Sequence, residues 1–356
     1  MTNRLFLDVH AIQSLPPSNI NRDDTGSPKT AQYGGVRRAR VSSQSWKKAI
    51  RDYFYENGDL KNVGVRSLEI VKYIADKILE LDNAIDMDEA LELADKVLNK
   101  ANVKTKDKRV KALFFLGDTQ ARELAKAAID GNDDKKYLQK ILKDNPAIDI
   151  ALFGRMVADD PFLNEDASCQ VSHAISTHSV QTEFDFFTAV DDLSPQDNAG
   201  AGMLGTVEFN SSTIYRYANI AIHELVEQLN NKDAAINTIK LFIEAFSNSL
   251  PTGKINTFAN QTLPQLLFVT LRSDRPINLV TAFEVPVKSN DGYVDQSIEK
   301  LFTEYEKVGK FVEEPIFSLY VSTKNVMDKE GISEAETISK LLDELSDKLE
   351  EVMPEK

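Results

Sequence analysis

Along residues 5–12 the side chains alternate. Leu5, Leu7, Val9 and Ala11 point one way, and Phe6, Asp8 and His10 the other. A period of two predicts a strand buried on one face and wet on the other. Residues 14–35 lose all periodicity and are rich in Pro, Ser, Asn and Gly. They read as one long loop, of the length that carries function. Residues 38–41 return as a short extended entry. Ser42 or Ser43 then caps a helix that runs to about Glu56 and stops at Asn57-Gly58. Its core face carries Trp46, Ile50, Tyr53 and Phe54, while Lys47 and Arg51 share another face with Lys48 beside them.

From about 65 to 145 the period is 3.6 almost throughout. One helix is marked by Leu68, Val71, Ala75, Ile78 and Leu79, and others by residues 87–98, 110–129 and 135–143. Their polar faces are acidic and no strand signal interrupts them, so this stretch reads as an inserted helical subdomain. Helical periodicity then fades between 148 and 220. Residues 184–190 and 206–209 are β-prone and flank a polar loop, which predicts a protruding β-hairpin. A strand at 214–220 follows, then helices at 222–229 and 234–246. Strands at 266–271 and 281–285, a helix at 295–308, and an amphipathic helix with Ile338, Leu341, Leu342, Leu345 and Leu349 complete the chain. The string predicts an α+β fold: a βαββαβ (ferredoxin-like) sheet domain with a helical insertion.

Charge changes this picture. The 356 residues carry a formal net charge of -14, yet residues 25–51 contain seven basic side chains and no acidic one. Residues 1–51 as a whole hold nine Lys or Arg against three Asp or Glu. An acidic chain with one carboxylate-free basic segment points to a polyanion held there, since each neutralised phosphate releases counterions. The plainer reading is a solvated basic helix face. A pI near 4.9 argues against a general nucleic-acid coat protein but allows one strand in one groove. With a single cysteine, no apolar run long enough to span a bilayer, and no signal-peptide pattern at the start, a soluble cytoplasmic protein is expected.

Most candidate chemistry falls away on inspection. Gly200-Ala201-Gly202-Met203-Leu204-Gly205 matches G-x-G-x-x-G, but it follows a polar loop and leads into a strand. A dinucleotide site needs the reverse order, so a hairpin tip is the better reading. Cys169, His173 and His178 have no zinc spacing and no fourth ligand nearby. Asp23-Asp24 lacks the converging carboxylates of two-metal chemistry and reads as a turn or a brace for Arg22. No catalytic residue, metal or cofactor is expected. Ser42-Ser43-Gln44 is different. Hydroxyls, an amide and free N–H groups at a helix start make an anion site, with Lys47, Lys48 and Arg51 on the same element. Upstream, Arg22, Lys29, Arg37, Arg38 and Arg40 add charge that positions a strand without reading bases. Phe186 and Phe187 either stack on bases or pack in a core.

Several segments together resemble one family. Asn21-Arg22-Asp23-Asp24 and Gly34-Gly35-Val36-Arg37-Arg38-Ala39-Arg40-Val41-Ser42-Ser43-Gln44-Ser45 look like the N-terminal signature of CasC proteins. These are the RNA-binding backbone subunits of the type I-E CRISPR surveillance complex, Cascade, within the RAMP superfamily. Gly154-Arg155-Met156, His173-Ala174-Ile175-Ser176-Thr177-His178, the run from Asp185 to Asp192, and Tyr215-Arg216-Tyr217-Ala218-Asn219-Ile220 match later segments. The blocks are ordered and cover about the first 220 residues.

The resemblance implies a hand-shaped molecule. An RRM-like palm spans residues 1–58 and 213–356, helical fingers span 59–175, and a thumb hairpin spans 176–212. It implies that several copies grip the sugar–phosphate backbone of one CRISPR RNA, which stays free to pair with target DNA. The partners it implies are this crRNA, target DNA through the hybrid, further copies of the chain and the other Cascade subunits, with no membrane. It places backbone contacts at Arg22, Lys29, Ser42, Gln44, Lys47, Lys48 and Arg51. Met156 falls at the kinked base, and Phe186, Phe187 and Thr188 fall on the thumb. Arg38, Arg40 and Ser43 join this set on charge and position. Two departures stand out: Val36 where the family is often basic, and Phe186 where a Trp is familiar. The rivals are a metal-dependent ribonuclease using Asp23 or Asp24, and a generic single-stranded RNA binder.

Overall fold

Strand β1, Phe6–Ser18, is buried along almost its whole length and on both faces. The structure is a computed structural model that describes residues 4–58, 63–157, 160–189, 203–326 and 330–353. After β1 come the hairpin strands β2 (Thr30–Tyr33) and β3 (Val36–Val41), then helix α1 (Ser43–Asn57). A long excursion follows: β4 (Val65–Ser67), α2 (Ile70–Leu81), α3 (Met87–Lys100), β5 (Thr105–Lys106), β6 (Arg109–Val110), β7 (Phe114–Leu116), α4 (Asp118–Ile129), α5 (Lys135–Lys143) and α6 (Ile148–Phe153). The chain returns through β8 (Cys169–Val171), β9 (Ala174–Ser176), β10 (Glu183–Ala189) and the 19-residue β11 (Met203–Ala221). It closes with α7 (Ile222–Leu229), α8 (Lys232–Asn248), α9 (Ile255–Phe258), β12 (Leu266–Arg272), α10 (Val294–Val308), β13 (Phe317–Ser322), β14 (Ser333–Glu334) and α11 (Ile338–Val352).

The principal sheet runs β14-β13-β12-β1-β11-β9-β3-β2, with β8 and β10 also pairing to β11. At its centre β1 is antiparallel to both β12 and β11, and β11 is antiparallel to β8. The β1–β11 register slips between Leu15 and Ser18, where Pro16 and Pro17 can donate no ladder hydrogen bonds. Beyond that point β11 leaves β1 and pairs with β10 from Glu183↔Phe209 to Ala189↔Met203.

One face of this sheet packs Leu7, Val9 and Ala11 against Ile50 and Phe54 of α1 and Ile239, Phe242 and Ile243 of α8. The other face is covered as well. Ile12, Tyr215 and Phe268 lie under Leu279, Phe283, Ile298, Leu301 and Phe302. The expectation of a half-buried β1 therefore fails, because Asp8 and His10 sit beneath this second layer. Their polar atoms are paired there. Tyr217 donates to one Asp8 oxygen at 2.7 Å and the Ile277 N–H to the other at 2.9 Å, while His10 Nδ1 meets the Tyr215 hydroxyl at 2.8 Å. Burial pushes the Asp8 carboxyl up to about 7 and the His10 imidazole down to about 3.

The excursion has its own core. Ile74, Ile78, Ala94, Leu98, Leu124 and Leu138 belong to a cluster separate from the sheet's. Helix caps agree with the sequence: Ser42, Asp86, Asp134, Asn231 and Thr337 each accept an N–H from the following turn.

Local structure departs from expectation in four other places. Residues 14–35 are not one loop, for β1 continues to Ser18 and β2–β3 forms a hairpin. Gly34 and Gly35 take its tight turn with φ of 58° and 76°, and a Cβ on Gly34 would lie 1.7 Å from the Glu284 carbonyl oxygen. The excursion is not strand-free, since β4 pairs with β7 and β5 with β6. Helix α4 accordingly starts at Asp118, after β-prone Phe114–Leu116, rather than at 110. Residues 281–285 do not form a strand. Asn278 caps a 3-10 turn at Leu279–Phe283 by accepting the Val280 N–H. The strand that joins this edge of the sheet is Phe317–Ser322.

Candidate nucleic-acid interface

Helix α1 divides its side chains by period. Trp46, Ala49, Ile50 and Phe54 are buried against the sheet. Gln44, Lys47, Lys48 and Arg51 fall on the other side and line a cavity of about 530 Å³. The rest of the lining comes from the excursion and its return, including Arg66 of β4, Leu113, Phe115, Phe153, Met156 and the acidic pair Glu165 and Asp166. Met156 is 83% exposed. Five residues singled out from the sequence therefore meet around one cavity: Gln44, Lys47, Lys48, Arg51 and Met156.

These cations are not equivalent. Lys48 pairs with Asp52 one turn on, and both side chains are largely in solvent. Such a pair is worth little and is screened by salt, so a phosphate displaces it readily. Arg51 is anchored. Its Nε donates to Asp149 Oδ2 at 2.9 Å, its Nη2 to the Gly64 carbonyl at 3.1 Å, and its guanidinium lies 4.4 Å over the Phe115 ring. Asp149 is fully buried and also accepts the Gly64 N–H at 2.8 Å. Burial raises its carboxyl above the usual range, against the pull of Arg51 and that N–H. Lys47 sits 5.4 Å over the Phe153 ring. Among the described residues no carboxylate pairs with Lys47 or Arg66.

A second basic group gathers at the start of α1. Ser42 is buried. Its N–H donates to Asn21 Oδ1 at 2.8 Å, and its hydroxyl caps the Ser45 N–H. Asn21 in turn receives the Lys29 N–H through its carbonyl at 2.9 Å, so the 21–29 loop is fixed to the helix start. Ser43 contacts Gln44, and the first turn of α1 holds no acidic residue. Arg22 is exposed and shares a shallow pocket with Asp23 and Asp24. Asp23 closes a turn by accepting from the Thr25 N–H and hydroxyl and from the Ser27 N–H. These bonds, the Thr25 hydroxyl first, hold its carboxyl below the usual range.

The arginines of β3 separate. Successive strand residues face opposite ways, so Arg37 is exposed while Arg38 is fully buried. Arg38 donates to the carbonyls of Tyr33 at 3.1 Å, Ser176 at 3.0 Å and Phe283 at 2.7 Å. It ties the β2–β3 hairpin to β9 and the 3-10 turn, and it does not reach the basic face. Arg40 is intermediate: its Nε donates to the Thr30 carbonyl, and its Nη1 meets His173 Nδ1 at 3.1 Å.

The hairpin stands apart from the cavity. Glu183–Ala189 of β10 is exposed at every position. Phe186 is 65% exposed and Phe187 38%, which leaves neither in a core. Phe187 faces Gly205 across the ladder, where a Cβ would lie 2.4 Å from its ring. Thr188 is exposed on the same strand. Of residues 200–205, read as the hairpin tip, 200–202 lie outside the described residues, whereas Met203, Leu204 and Gly205 belong to the β11 ladder. The remaining motifs have structural partners. Cys169 is buried and its thiol pushed up to about 12, and His178 stacks on Tyr293 with centroids 3.7 Å apart. Among the described residues no group of three or more His, Cys, Asp or Glu is placed to hold a metal, and no helix is long and apolar enough to cross a membrane.

Sequence reasoning missed Arg66, Leu113 and Phe115, all from the stretch read as uniform acidic helices. The signal available was local. Val63-Gly64-Val65-Arg66-Ser67 breaks the helical period just before α2.

The family model described as CT1975-like protein matches residues 7–348. No curated protein matches the chain. A chain of a "CRISPR RNA-guided surveillance complex, pre-nicking" is 33% identical with a TM-score of 0.83, and the match covers 97% of this chain and 100% of that one. A chain of another "CRISPR RNA-guided surveillance complex" is 30% identical with a TM-score of 0.66, covering 96% and 99%.

Proposed function

The chain belongs to the CT1975-like protein family, and from that premise we propose that it is the crRNA-binding backbone subunit of a type I-E Cascade complex. Several copies hold one crRNA by its sugar–phosphate backbone and present its bases to target DNA. The observation that carries this reading is the convergence of Gln44, Lys47, Lys48, Arg51 and Met156 on one cavity. It is supported by full-length similarity to chains of surveillance complexes. Three of these side chains are cationic, one is apolar and Gln44 alone is a neutral amide, a set dominated by charge, which suits backbone recognition.

The palm, fingers and thumb division is supported by the fold. The order β12-β1-β11-β8, with α1 and α8 packed on one face, suits a βαββαβ palm. The excursion's separate core suits fingers, and the exposed β10–β11 arm suits a thumb that lies on a neighbouring copy. Asp23 closes a turn, which favours binding over metal-dependent cleavage at that site. The complex works in the cytoplasm.

The test is to express the chain beside its genomic neighbours and sequence the RNA that co-purifies. The reading expects one repeat-derived RNA length class, protein in multiple copies per RNA, and no cleavage of labelled guide or target by the chain with Mg²⁺. Random cellular RNA bound by single copies would support the generic binder instead.

A further inference from the structure

The cavity wall contributed by the excursion holds a cation that the α1 face does not explain. Arg66 is exposed, lines the cavity, and has no ion-pair partner among the described residues. Arg51 and Arg155 are committed: Arg51 is held by Asp149, and the buried Arg155 guanidinium lies on the carbonyls of Leu163, Phe115 and Leu142. Lys48 has only its exposed pair with Asp52, while Lys47 and Arg66 have no ion-pair partner among the described residues, so the space keeps Lys47 and Lys48 from α1 and Arg66 from β4.

Arg66 is also fixed in place. It is paired to Phe115 in the β4–β7 ladder, and the Phe115 ring lies under the Arg51 guanidinium. Two residues before it, Gly64 receives Arg51 through its carbonyl and gives its N–H to Asp149. A Cβ on Gly64 would lie 2.6 Å from the Phe115 ring. The Arg51–Asp149–Gly64 junction thus locks α1 to the base of β4 and sets where Arg66 enters the cavity. Glu165, which pairs with Lys143, and the exposed Asp166 line the same cavity, but neither is within ion-pair distance of Arg66. An exposed guanidinium held on a paired strand suits a phosphate oxygen in a bidentate or fork geometry.

We infer that Arg66 is a phosphate-binding residue of the RNA site, contributed to the cavity by the excursion as Lys47 and Lys48 are by α1. Arg51 and Asp149 act there as positioning residues. The inference rests on the RNA-binding reading above.

The experiment measures affinity of the full-length chain for two unrelated short single-stranded RNAs over a salt series. Arg66→Ala is expected to lower the slope of log affinity against log salt by about 0.7 and to weaken both RNAs about 5-fold near 0.1 M salt. Arg66→Lys, which keeps the charge, is expected to retain the slope. Lys47→Ala is the parallel arm. A slope lowered by Lys47→Ala but untouched by Arg66→Ala overturns this inference and leaves the binding reading standing. No change in either variant overturns both. A loss in Arg66→Ala confined to one RNA sequence overturns the phosphate assignment. An unchanged thermal midpoint in Arg66→Ala is expected, because the side chain is exposed; a large drop would make the effect one of folding and overturn the assignment.

Discussion

Arg38 of β3 and the two lysines of α1 are neighbours in sequence and opposites in structure. Arg38 is fully buried and spends its donors on three carbonyls from three different elements. Arg216 is equally buried, 3.8 Å over the Trp46 ring and 4.3 Å over Phe246, with donors on Gln13 and the Phe246 carbonyl. Lys47 and Lys48, by contrast, face an open cavity. A count of positive charge treats all of these alike. What separates them is the period of the element that carries them and the supply of carbonyl acceptors behind it. A planar guanidinium with five donors can be satisfied inside a protein without a carboxylate, whereas an ammonium is more easily left in solvent.

The largest expected effect breaks the comparison on its buried side. Arg38→Met should cost about 3 kcal/mol of stability, because it leaves the buried carbonyls of Tyr33, Ser176 and Phe283 without their donors. The change would be read from urea unfolding as a lowered midpoint with an unchanged m-value. Near-native stability with a weaker salt dependence of RNA binding would move Arg38 to the binding face. Asp149→Ala is comparable at about 3 kcal/mol, because it leaves Arg51 without its carboxylate while the guanidinium retains some solvent access. It also frees the junction below Arg66, so RNA affinity at saturating stability should fall as well. Stability equal to the native chain's would show that the Arg51 pair anchors nothing.

On the exposed side the effects move from stability to binding. Phe186→Ala should change stability by no more than about 0.5 kcal/mol, as expected for a surface position. It should shorten the protein arrays formed on a long RNA, measured by sizing of the complexes. Arrays of full length would remove Phe186 from the thumb role. Lys48→Ala is the smallest change. Loss of its exposed pair with Asp52 costs at most about 0.5 kcal/mol, and the slope of binding against salt should fall by about 0.7. A loss of stability well beyond this would make Lys48 a structural residue.

Legibility follows the same division. Helix α5 at Lys135–Lys143 and the basic face of α1 could be read directly, because a cap, a period and a charge pattern agreed there. The four α1 residues and Met156 were named from the sequence and meet at the cavity. Asp8 and His10 were read as solvent-facing, since alternation reports polarity and not the later layer of α10 that covers them. Phe114–Leu116 was taken into a helix because a three-residue strand is shorter than any window that measures its period. Arg66 was invisible for a related reason. Its role depends on the cavity it lines, and that cavity is built with residues about 20 positions earlier and 90 positions later in the chain.

The central claim is that the open cations of α1 hold RNA by its phosphates, whatever the sequence. The most direct test is the salt dependence of binding by the Lys47→Ala/Lys48→Ala double variant, on two RNAs with no sequence in common. The account predicts parallel curves for the two RNAs, each with a slope lowered by about 1.4 from that of the native chain. An unchanged slope, or a loss seen with one RNA and not the other, would contradict it.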